Sequence, residues 1–389
     1  MDKNVKKIGL YIHIPFCLHK CAYCDFCSDT VKDKLQKEAY VDALISDIEH
    51  TGKKLSEDNV VVDSIYVGGG TPSLLSKKEI EFLTDTIYDS FRVTETAEFT
   101  FEVNPATLDR SKAKCMLECG VNRLSIGLQS AHDNELRALS RIHSFKQFLD
   151  CYKTARRAGF ENINVDVMYG IPEQTLESFM QTLETVAELE PEHISMYGLR
   201  IEQGTPFSEC EGELALPDED TEYAMYRQGR EFLLSAGYSH YEISNYAKEG
   251  CESQHNLKYW RCEEYIGIGV AAHSFYADRR YAKITDTDKY IAYICGDENT
   301  EGTILPESVE HIDKDALECE YVMLGLRTGR GVVKARFKEK FGFDFDSKYA
   351  ERIKEYADAG FMINNDKACM FSPEGMYVSN RILCDILDL

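Results

Sequence analysis

The sequence contains no long run of apolar residues, and this absence excludes a membrane-spanning helix. No stretch approaches the roughly 20 consecutive apolar residues that a helix needs to cross a bilayer. The first residues, MDKNVKKIGLYIHIPF, include lysines but lack the longer apolar segment and the small-residue cleavage site of a signal peptide. We therefore expect a cytoplasmic protein.

Basic residues are also few. The chain has 44 lysines and arginines against 67 aspartates and glutamates, which gives a formal net charge of −23 over 389 residues. This excess of negative charge disfavours binding to nucleic acid or anionic lipid, unless a local basic patch lies within it. We expect no nucleic-acid partner. Repeats and low-complexity tracts are absent too, and the length predicts one large domain and a smaller one.

Cysteine, by contrast, is abundant, and three cysteines are closely spaced. In a reducing compartment the 14 thiols are better explained as free thiols or metal ligands than as disulfides. Cys17, Cys21 and Cys24 have the spacing C-x3-C-x2-C and follow a short apolar segment at residues 10–14. A loop this short holds three sulfurs near one centre. A complete iron–sulfur cubane takes four cysteines, so one iron would stay open to a small molecule.

A structural zinc site is the alternative for these thiols. Zinc usually takes four ligands, commonly as two separated pairs. The sequence has no partner pair at such a spacing. We therefore predict an iron–sulfur cluster at this loop.

After the cysteine loop, strand-like and helix-like segments alternate. Six strands separated by helices predict an α/β fold, a parallel sheet with right-handed crossovers. Six units are fewer than the eight that close a full barrel, so we expect an open three-quarter (β/α)6 barrel. The predicted strands are residues 10–14, 60–67, 98–103, 123–127, 162–168 and 193–199, and the helices are 37–50, 77–90, 109–119, 132–138, 144–158 and 176–189.

Polar residues and glycines gather where such a barrel places its chemistry, at the carboxyl ends of the strands. The sequence GGGTP at residues 68–72 follows the second predicted strand, and Glu102 ends the third. Gln129 follows the fourth strand, and Asp166 lies within the fifth. Because these strand ends meet at one mouth of the barrel, we expect the residues to share a site.

The character of the chain changes from about residue 307. Helical segments at 316–327, 333–341 and 347–359 precede two short strand-like pieces at 361–364 and 368–371. This order resembles a winged-helix module, which in so acidic a chain we interpret as a packing domain. We predict three parts: a partial barrel at 1–245, a connector at 246–304 that carries HNLKYW, and a mostly helical, winged-helix-like domain at 305–389.

Six motifs in order, YIHIPFC, CAYCDF, GGGTP, FEVNP, GLQS and VDVMYGIP, resemble the radical S-adenosylmethionine superfamily. Within it they resemble the oxygen-independent coproporphyrinogen III oxidase group, over roughly residues 8–275. The resemblance implies a [4Fe-4S] cluster with three cysteine ligands, Cys17, Cys21 and Cys24. It also implies S-adenosylmethionine on the open iron, where an electron from the cluster would cleave it to a radical.

The same resemblance implies the residues that bind S-adenosylmethionine. A plain β–α turn is the alternative for the triple glycine, and an ordinary ion-pair network is the alternative for Gln129, Arg141 and Asp166. In decarboxylating relatives these last three positions hold a second S-adenosylmethionine, and whether one binds here is open. The implied residues are Tyr11, Tyr23, Gly69, Gly70, Thr71, Glu102, Gln129, Arg141 and Asp166.

Two features resemble the HemW-type heme chaperone branch of this group. The first is Asp25-Phe26 after the third cysteine, where decarboxylating oxidases have one residue before a fourth cysteine; we interpret Cys27 as a bystander. The second is HNLKYW, which resembles a heme-binding motif. On composition alone it is a packing corner in which His255 bonds to backbone. The flanking Cys251 and Cys262 could be thiolate ligands, and the alternative, which we prefer, is that both are incidental thiols. The implied heme-binding residues are His255, Asn256, Tyr259 and Trp260.

The resemblance implies a heme chaperone that passes heme to acceptor hemoproteins, among which membrane-bound respiratory proteins are plausible. It would then work in the cytoplasm or at the inner face of the membrane during transfer. The cluster and S-adenosylmethionine would be structural or regulatory. The alternatives are radical decarboxylation of coproporphyrinogen III propionates and another radical reaction on a tetrapyrrole. Cleavage of S-adenosylmethionine and formation of a homodimer are left open.

Overall fold

A twelve-stranded sheet forms the centre of the molecule in the computed structural model, which describes residues 5–30, 33–297 and 300–388. Two further small sheets lie outside it. In chain order the strands are β1 (Lys6–Ile14), β2 (Phe16–Cys17), β3 (Asp29–Thr30), β4 (Val60–Gly69), β5 (Val93–Val103), β6 (Arg123–Gln129), β7 (Asn162–Tyr169), β8 (His193–Gly198), β9 (Ser239–Glu242), β10 (Asn245–Ala247), β11 (Tyr265–Ile268), β12 (His273–Tyr276), β13 (Arg279–Ala282), β14 (Glu310–His311), β15 (Val332–Val333), β16 (Met362–Asn364) and β17 (Ala368–Phe371).

The helices alternate with the first strands of this sheet and dominate the C-terminal part. No helix in the described part of the chain is long and apolar enough to cross a membrane. The helices are α1 (Lys34–Leu55), α2 (Lys77–Ser90), α3 (Arg110–Glu118), α4 (Asp133–Ala138), α5 (Phe145–Ala158), α6 (Leu176–Ala187), α7 (Pro206–Glu209), α8 (Glu219–Ser235), α9 (Gln254–Trp260), α10 (Thr287–Asp297), α11 (Lys314–Leu326), α12 (Lys334–Phe341), α13 (Phe345–Asp358), α14 (Pro373–Tyr377) and α15 (Ser379–Leu387).

The six predicted strands are confirmed as β1, β4, β5, β6, β7 and β8, and they pair in parallel in that order. A seventh parallel strand, β11, pairs with the free edge of β1. The antiparallel strands β12, β13 and β14 extend that edge, and β10 and β9 extend the other. The sequence did not predict β11, because a four-residue strand with a glycine has too little periodicity to stand out.

Local signals set the ends of the crossover helices. The side chain of Ser76 accepts from the backbone of Glu79, whose carboxylate accepts in return, and this capping box starts α2. Ser144 and Gln147 start α5 in the same way. Gly159 ends α5 in a left-handed conformation with φ of 118°. The buried faces of these helices then cover the outer, apolar face of the sheet.

The C-terminal part has a core of its own. The three predicted helices are α11, α12 and α13, and the predicted strand pair is β16 and β17. A third strand, β15, pairs with β17 and completes a small sheet. Phe337 lies at the centre of this core and contacts the rings of Phe341, Phe345 and Tyr349. Helices packed on a small three-stranded sheet are the winged-helix-like arrangement that the sequence predicts.

A buried ion pair joins α1 to the segment that follows β13. Asp47 of α1 is fully buried, and its carboxylate accepts from the ammonium group of Lys283, which is itself buried. The same carboxylate oxygen accepts from the hydroxyl of Tyr290 in α10 at 2.6 Å. Buried charges of opposite sign must stay paired, because either one alone would lack solvation. The pair therefore holds the region after β13 against the barrel.

We predict that Lys283→Met destabilises the protein strongly. The substitution leaves the carboxylate of Asp47 buried without its cation, and such losses typically lower the free energy of unfolding by about 3–5 kcal/mol. Urea unfolding of the cofactor-free protein measures the change. Lys289→Met is the control, since Lys289 is exposed and pairs only loosely with Asp286 at 3.6 Å. Equal effects of the two substitutions would contradict the assignment.

Candidate cofactor site

The cysteine loop is fastened to the carboxyl end of β1 by a histidine. The Nε2 atom of His13 lies 2.8 Å from the carbonyl oxygen of Cys27, and Nδ1 lies 3.0 Å from the hydroxyl of Tyr11. Since a carbonyl only accepts, Nε2 carries the proton and Nδ1 accepts from Tyr11. Burial lowers the pKa of His13 and keeps the ring neutral. The histidine thus positions the loop.

One cavity at this mouth of the barrel unites most of the residues implied for the cluster and S-adenosylmethionine. It lies at the carboxyl ends of the central strands, as expected for a barrel of this kind. Tyr11 does not border the cavity; its ring stacks on that of Tyr66 below, at 6.3 Å between centroids. The implied residues that border it are Cys17, Cys21, Cys24, Tyr23, Gly69, Gly70, Thr71, Glu102, Gln129, Arg141 and Asp166.

The three thiols fit a cluster better than a single ion. In the part of the chain that the structure describes, no three cysteine, histidine, aspartate or glutamate side chains converge closely enough for one metal ion. Cys17, Cys21 and Cys24 instead all border the same cavity. A [4Fe-4S] cluster is larger than one ion and takes cysteine thiolates as its ligands. The donor set is thus compatible with the implied group.

The triple glycine has a packing role in addition to bordering the cavity. Gly69 has φ of 110°, and a Cβ atom there would lie 2.5 Å from the ring of His13. A Cβ atom on Gly70 would lie 2.7 Å from the carbonyl oxygen of Phe16. Only glycine allows this turn to lie so close to β1 and the start of the cysteine loop. The turn and the loop are therefore held together by direct contact.

Two polar side chains reach the cysteine sulfurs. The Nη1 atom of Arg141 lies 3.6 Å from Sγ of Cys21, and its Nη2 donates to the carbonyl of Gly127 at 2.7 Å. The hydroxyl of Thr71 lies 3.5 Å from Sγ of Cys17. Positive charge and hydrogen bonds near sulfur favour the thiolate and set the potential of a bound cluster. Arg141 is thus placed to act on the sulfur of Cys21.

Two half-buried carboxyl groups line the barrel side of the cavity. Glu102 accepts from the hydroxyl of Tyr66 at 2.8 Å and from the backbone N–H of Gly69 at 3.1 Å. Burial raises the pKa of Glu102 to about 7. Asp166 accepts from the side-chain amide of Asn164 at 2.7 Å, and burial raises its pKa as well. Both carboxyl groups are suited to accept from an amine or a ribose hydroxyl.

Several polar residues inside the barrel were missed from the sequence. Tyr197 borders the cavity and donates to Gln129 at 2.7 Å, while His193 bonds to Asn164 at 2.7 Å. The missed signal is strict alternation, for example in FTFEV at residues 99–103. There the apolar residues face the helices and the polar ones face inward. A period of two in every strand would have predicted a polar barrel interior.

The HNLKYW segment lies at the other end of the barrel. It forms α9, which packs against the amino-terminal halves of the central strands. Glu98 of β5 accepts from the backbone N–H groups of Gln254 at 2.9 Å and His255 at 3.0 Å. Lys258 pairs with Asp63 of β4 at 2.7 Å. The segment is therefore remote from the cysteine loop.

His255 faces into the barrel and is 1% exposed. Its Nδ1 lies 3.1 Å from the hydroxyl of Ser64, and its Nε2 lies 2.8 Å from the hydroxyl of Tyr259. Burial, and then the charge of Lys258, lower the pKa of His255 to about 3. The histidine is neutral, with both ring nitrogens engaged. This matches the packing-corner alternative, although its partners are side chains rather than backbone.

The other motif residues are arranged differently. Trp260 is half-buried, and its side chain interacts with the buried carboxyl group of Glu242. Asn256 lies in the first turn of α9, where its backbone N–H donates to Ser253 at 3.4 Å. Tyr259 packs edge-on against Tyr265. His255 and Tyr259 therefore lie on one side of α9, and Trp260 lies on another.

Comparison with known proteins bears on the family of this chain. The profile of the Radical SAM superfamily matches residues 11–186, and that of the HemN C-terminal domain matches residues 312–378. A protein of Bacillus subtilis named heme chaperone HemW is 36% identical over 375 residues, which cover 96% of this chain and 97% of that protein. The chain belongs to the HemW family.

Further relatives extend this finding. A HemW protein of Escherichia coli is 39% identical over 282 residues, or 72% of this chain and 74% of that protein. The solved structure of coproporphyrinogen III oxidase (HemN) from Escherichia coli superposes with a TM-score of 0.84, at 23% identity, and covers 99% of this chain and 91% of that one. At this identity the match demonstrates the fold, a radical SAM barrel with its C-terminal domain.

The raised pKa of the Glu102 carboxyl group predicts a pH-dependent stability. Its folded pKa of about 7 lies above the roughly 4.3 of an unfolded glutamate. Between these values the folded chain holds a proton that the unfolded chain has lost, so this contribution to stability falls as the pH rises. Glu102→Gln removes the titration and should gain stability relative to wild type between about pH 5 and about pH 8.

Urea unfolding of the cofactor-free proteins at the two pH values measures this difference. Glu95→Gln is the matched control, because Glu95 is an exposed glutamate on the same strand. The difference in free energy of unfolding between Glu95→Gln and wild type should change much less with pH. A stability difference for Glu102→Gln that is the same at both pH values would contradict the assigned pKa.

Proposed function

We propose that this chain is a heme chaperone that binds heme and passes it to acceptor hemoproteins. The observation that carries the proposal is a relative named heme chaperone HemW that aligns over 96% of the chain. The cavity at the cysteine loop, with its three thiols, two carboxyl groups and one arginine, supports a role for the cluster and S-adenosylmethionine in the same protein.

Cys17, Cys21 and Cys24 are the proposed ligands of a [4Fe-4S] cluster. When bound, the cluster would supply the electron that cleaves S-adenosylmethionine. Gly69, Gly70, Thr71 and the other residues that border the cavity would bind S-adenosylmethionine, with Glu102 accepting from it. Tyr11 would act through Tyr66, on which it stacks, rather than by contact.

Cys27 is proposed to have no part in the cluster. Its Sγ lies 3.4 Å from the carbonyl oxygen of Thr285, and it is not among the residues that border the cavity. The backbone of Cys27 has a separate task, since its carbonyl accepts from His13. A substitution that removes the thiol therefore leaves the contact between the carbonyl and His13 in place.

For HNLKYW we propose a division of tasks. His255 and Tyr259, which bond to each other inside the barrel, would hold α9 in place. Trp260, on another side of the helix, borders a cavity and is available to stack on a porphyrin. Asn256 would support the first turn of the helix. Heme binding would then depend on His255 through the position of α9.

The identity of the heme acceptors is also a proposal. Membrane-bound respiratory proteins are the acceptors that the family resemblance favours, with transfer at the inner face of the membrane. A homodimer is compatible with this role. The chain supplies no membrane-spanning helix among its described residues, so an acceptor of that kind would be met at the surface of the bilayer.

The cluster assignment predicts that Cys24→Ser loses the cluster and Cys27→Ser keeps it. Each protein is reconstituted anaerobically with iron and sulfide, and its iron content and absorption spectrum are measured. Cys24 borders the cavity whereas the thiol of Cys27 does not, so the two substitutions form a matched pair. Loss of iron in Cys27→Ser, or full retention in Cys24→Ser, would overturn the ligand set.

The chaperone assignment predicts saturable binding of one hemin and its transfer to an apo-hemoprotein. Cluster-loaded protein is titrated with hemin, and the complex is then mixed with apomyoglobin while the Soret band is followed. We expect the spectrum of the acceptor to appear at the expense of the donor. His255→Ala should weaken hemin binding and also lower the midpoint of urea unfolding, because α9 loses its anchor.

Two results would contradict the chaperone assignment. One is the absence of saturable hemin binding by wild-type protein that carries its cluster. The other is formation of protoporphyrinogen from coproporphyrinogen III in an anaerobic assay with reductant and S-adenosylmethionine, which would favour the decarboxylating enzyme.

A further inference from the structure

A cavity of about 530 Å³ lies between α9 and the C-terminal domain, at the end of the barrel away from the cysteine loop. Its volume is within the range of sites that enclose a small molecule. One wall includes Leu257 and Trp260 of α9 and Arg261, which directly follows the helix. The facing wall comes from α11, from α12 and from the glycine-rich turn between them.

Three arginines border this cavity: Arg261, Arg330 and Arg336. Throughout the described residues, no carboxylate forms an ion pair with these three guanidinium groups, and none of them forms a side-chain hydrogen bond. Arg330 and Arg336 are exposed, and Arg261 is half-buried. One carboxylate, that of Glu252, borders the same cavity. In a chain with a formal net charge of −23, three unpaired arginines around one cavity form a distinct cluster of positive charge.

Aromatic and aliphatic side chains also line the cavity. Trp260 and Leu257 lie three residues apart on α9, and both border the cavity. Tyr321 of α11 borders it from the other side, near Arg261 and Arg336. Aromatic surface beside guanidinium groups suits a planar ligand that carries carboxylates, because arginine binds carboxylates in bidentate fashion.

From this arrangement we propose that the cavity binds heme, with Trp260 against the porphyrin and the propionates paired with Arg330 and Arg336. The inference rests on the proposed chaperone function and specifies where that function occurs. It gives Trp260, which borders the cavity, a role separate from that of His255, which stays inside the barrel. Heme would then be held beside the C-terminal domain, remote from the cluster.

A second cavity, of about 480 Å³, offers the competing location. It lies beside the cysteine loop, where Tyr23, Phe26 and Tyr197 border it. Its wall contains one arginine, Arg200. One guanidinium group can pair with only one of two propionates at a time in bidentate geometry. The cavity at α9 is therefore the better match for a dicarboxylate.

The test is hemin titration of cluster-loaded wild type, the double variant Arg330→Gln/Arg336→Gln and the single variant Arg200→Gln. We expect the Kd of hemin to rise by about tenfold or more in the double variant, since charge-assisted hydrogen bonds are lost. Arg200→Gln should bind hemin as wild type does. Arg110→Gln/Arg157→Gln is the matched control, because both of these arginines are exposed and neither borders one of the two cavities.

A second probe isolates the carboxylates. Iron protoporphyrin IX dimethyl ester has the same ring but no free propionate. It should bind wild type more weakly than hemin does, and it should bind the double variant and wild type equally. The unfolding midpoint and the iron content of every variant are measured alongside, and we expect both to equal those of wild type.

The outcomes separate this inference from the proposed function. If the double variant binds hemin as tightly as wild type, or if only Arg200→Gln weakens binding, heme is not held by the arginines at α9 and the inference fails. The chaperone assignment would survive either result. If wild type binds no hemin at all, both fail together. Weaker hemin binding in the double variant alone, with no such change for the ester, supports the inference.

Discussion

The interaction on which both ends of the barrel depend is the contact of the Glu98 carboxylate with the first turn of α9. It accepts from the backbone N–H groups of Gln254 and His255, and the hydroxyl of Ser253 lies 3.4 Å away. A carboxylate at a helix N-terminus satisfies donors that the helix leaves free and complements its dipole. With α9 held there, one face of the helix closes the barrel. Another face, which includes Trp260, borders the cavity beside the C-terminal domain.

The two ends of the barrel are joined by contacts through its polar interior. The ring of His255 lies 5.4 Å from that of Tyr66, and the hydroxyl of Tyr66 donates to Glu102 in the cofactor cavity. Tyr11 stacks on the same ring and bonds to His13, which holds the cysteine loop. The packing of α9 and the geometry of the cofactor cavity are thus parts of one arrangement.

Much of the fold was predictable because its signals are local. The β-branched run of β4, the GGGTP turn and the capping boxes of the crossover helices each occupy a short stretch of chain. The short strand β11 was missed, since only its pairing with β1 makes it a strand. For the site, motif resemblance predicted Cys17, Glu102 and Arg141. It did not predict Tyr66 or Tyr197, whose roles follow from facing the barrel interior.

The sequence by itself determined the alternation of strands and helices, the thiol spacing of the cysteine loop and the polar strand ends at one mouth. These depend on residues close together in the chain, and the parallel topology brings such ends together without further information. Only the tertiary structure decided that His255 faces into the barrel and that Trp260 borders the cavity beside the C-terminal domain. It also brought Arg261 together with Arg330 and Arg336. The physical reason is that partners such as Glu98, Ser64 and the C-terminal helices are far away in sequence, so no local pattern records them.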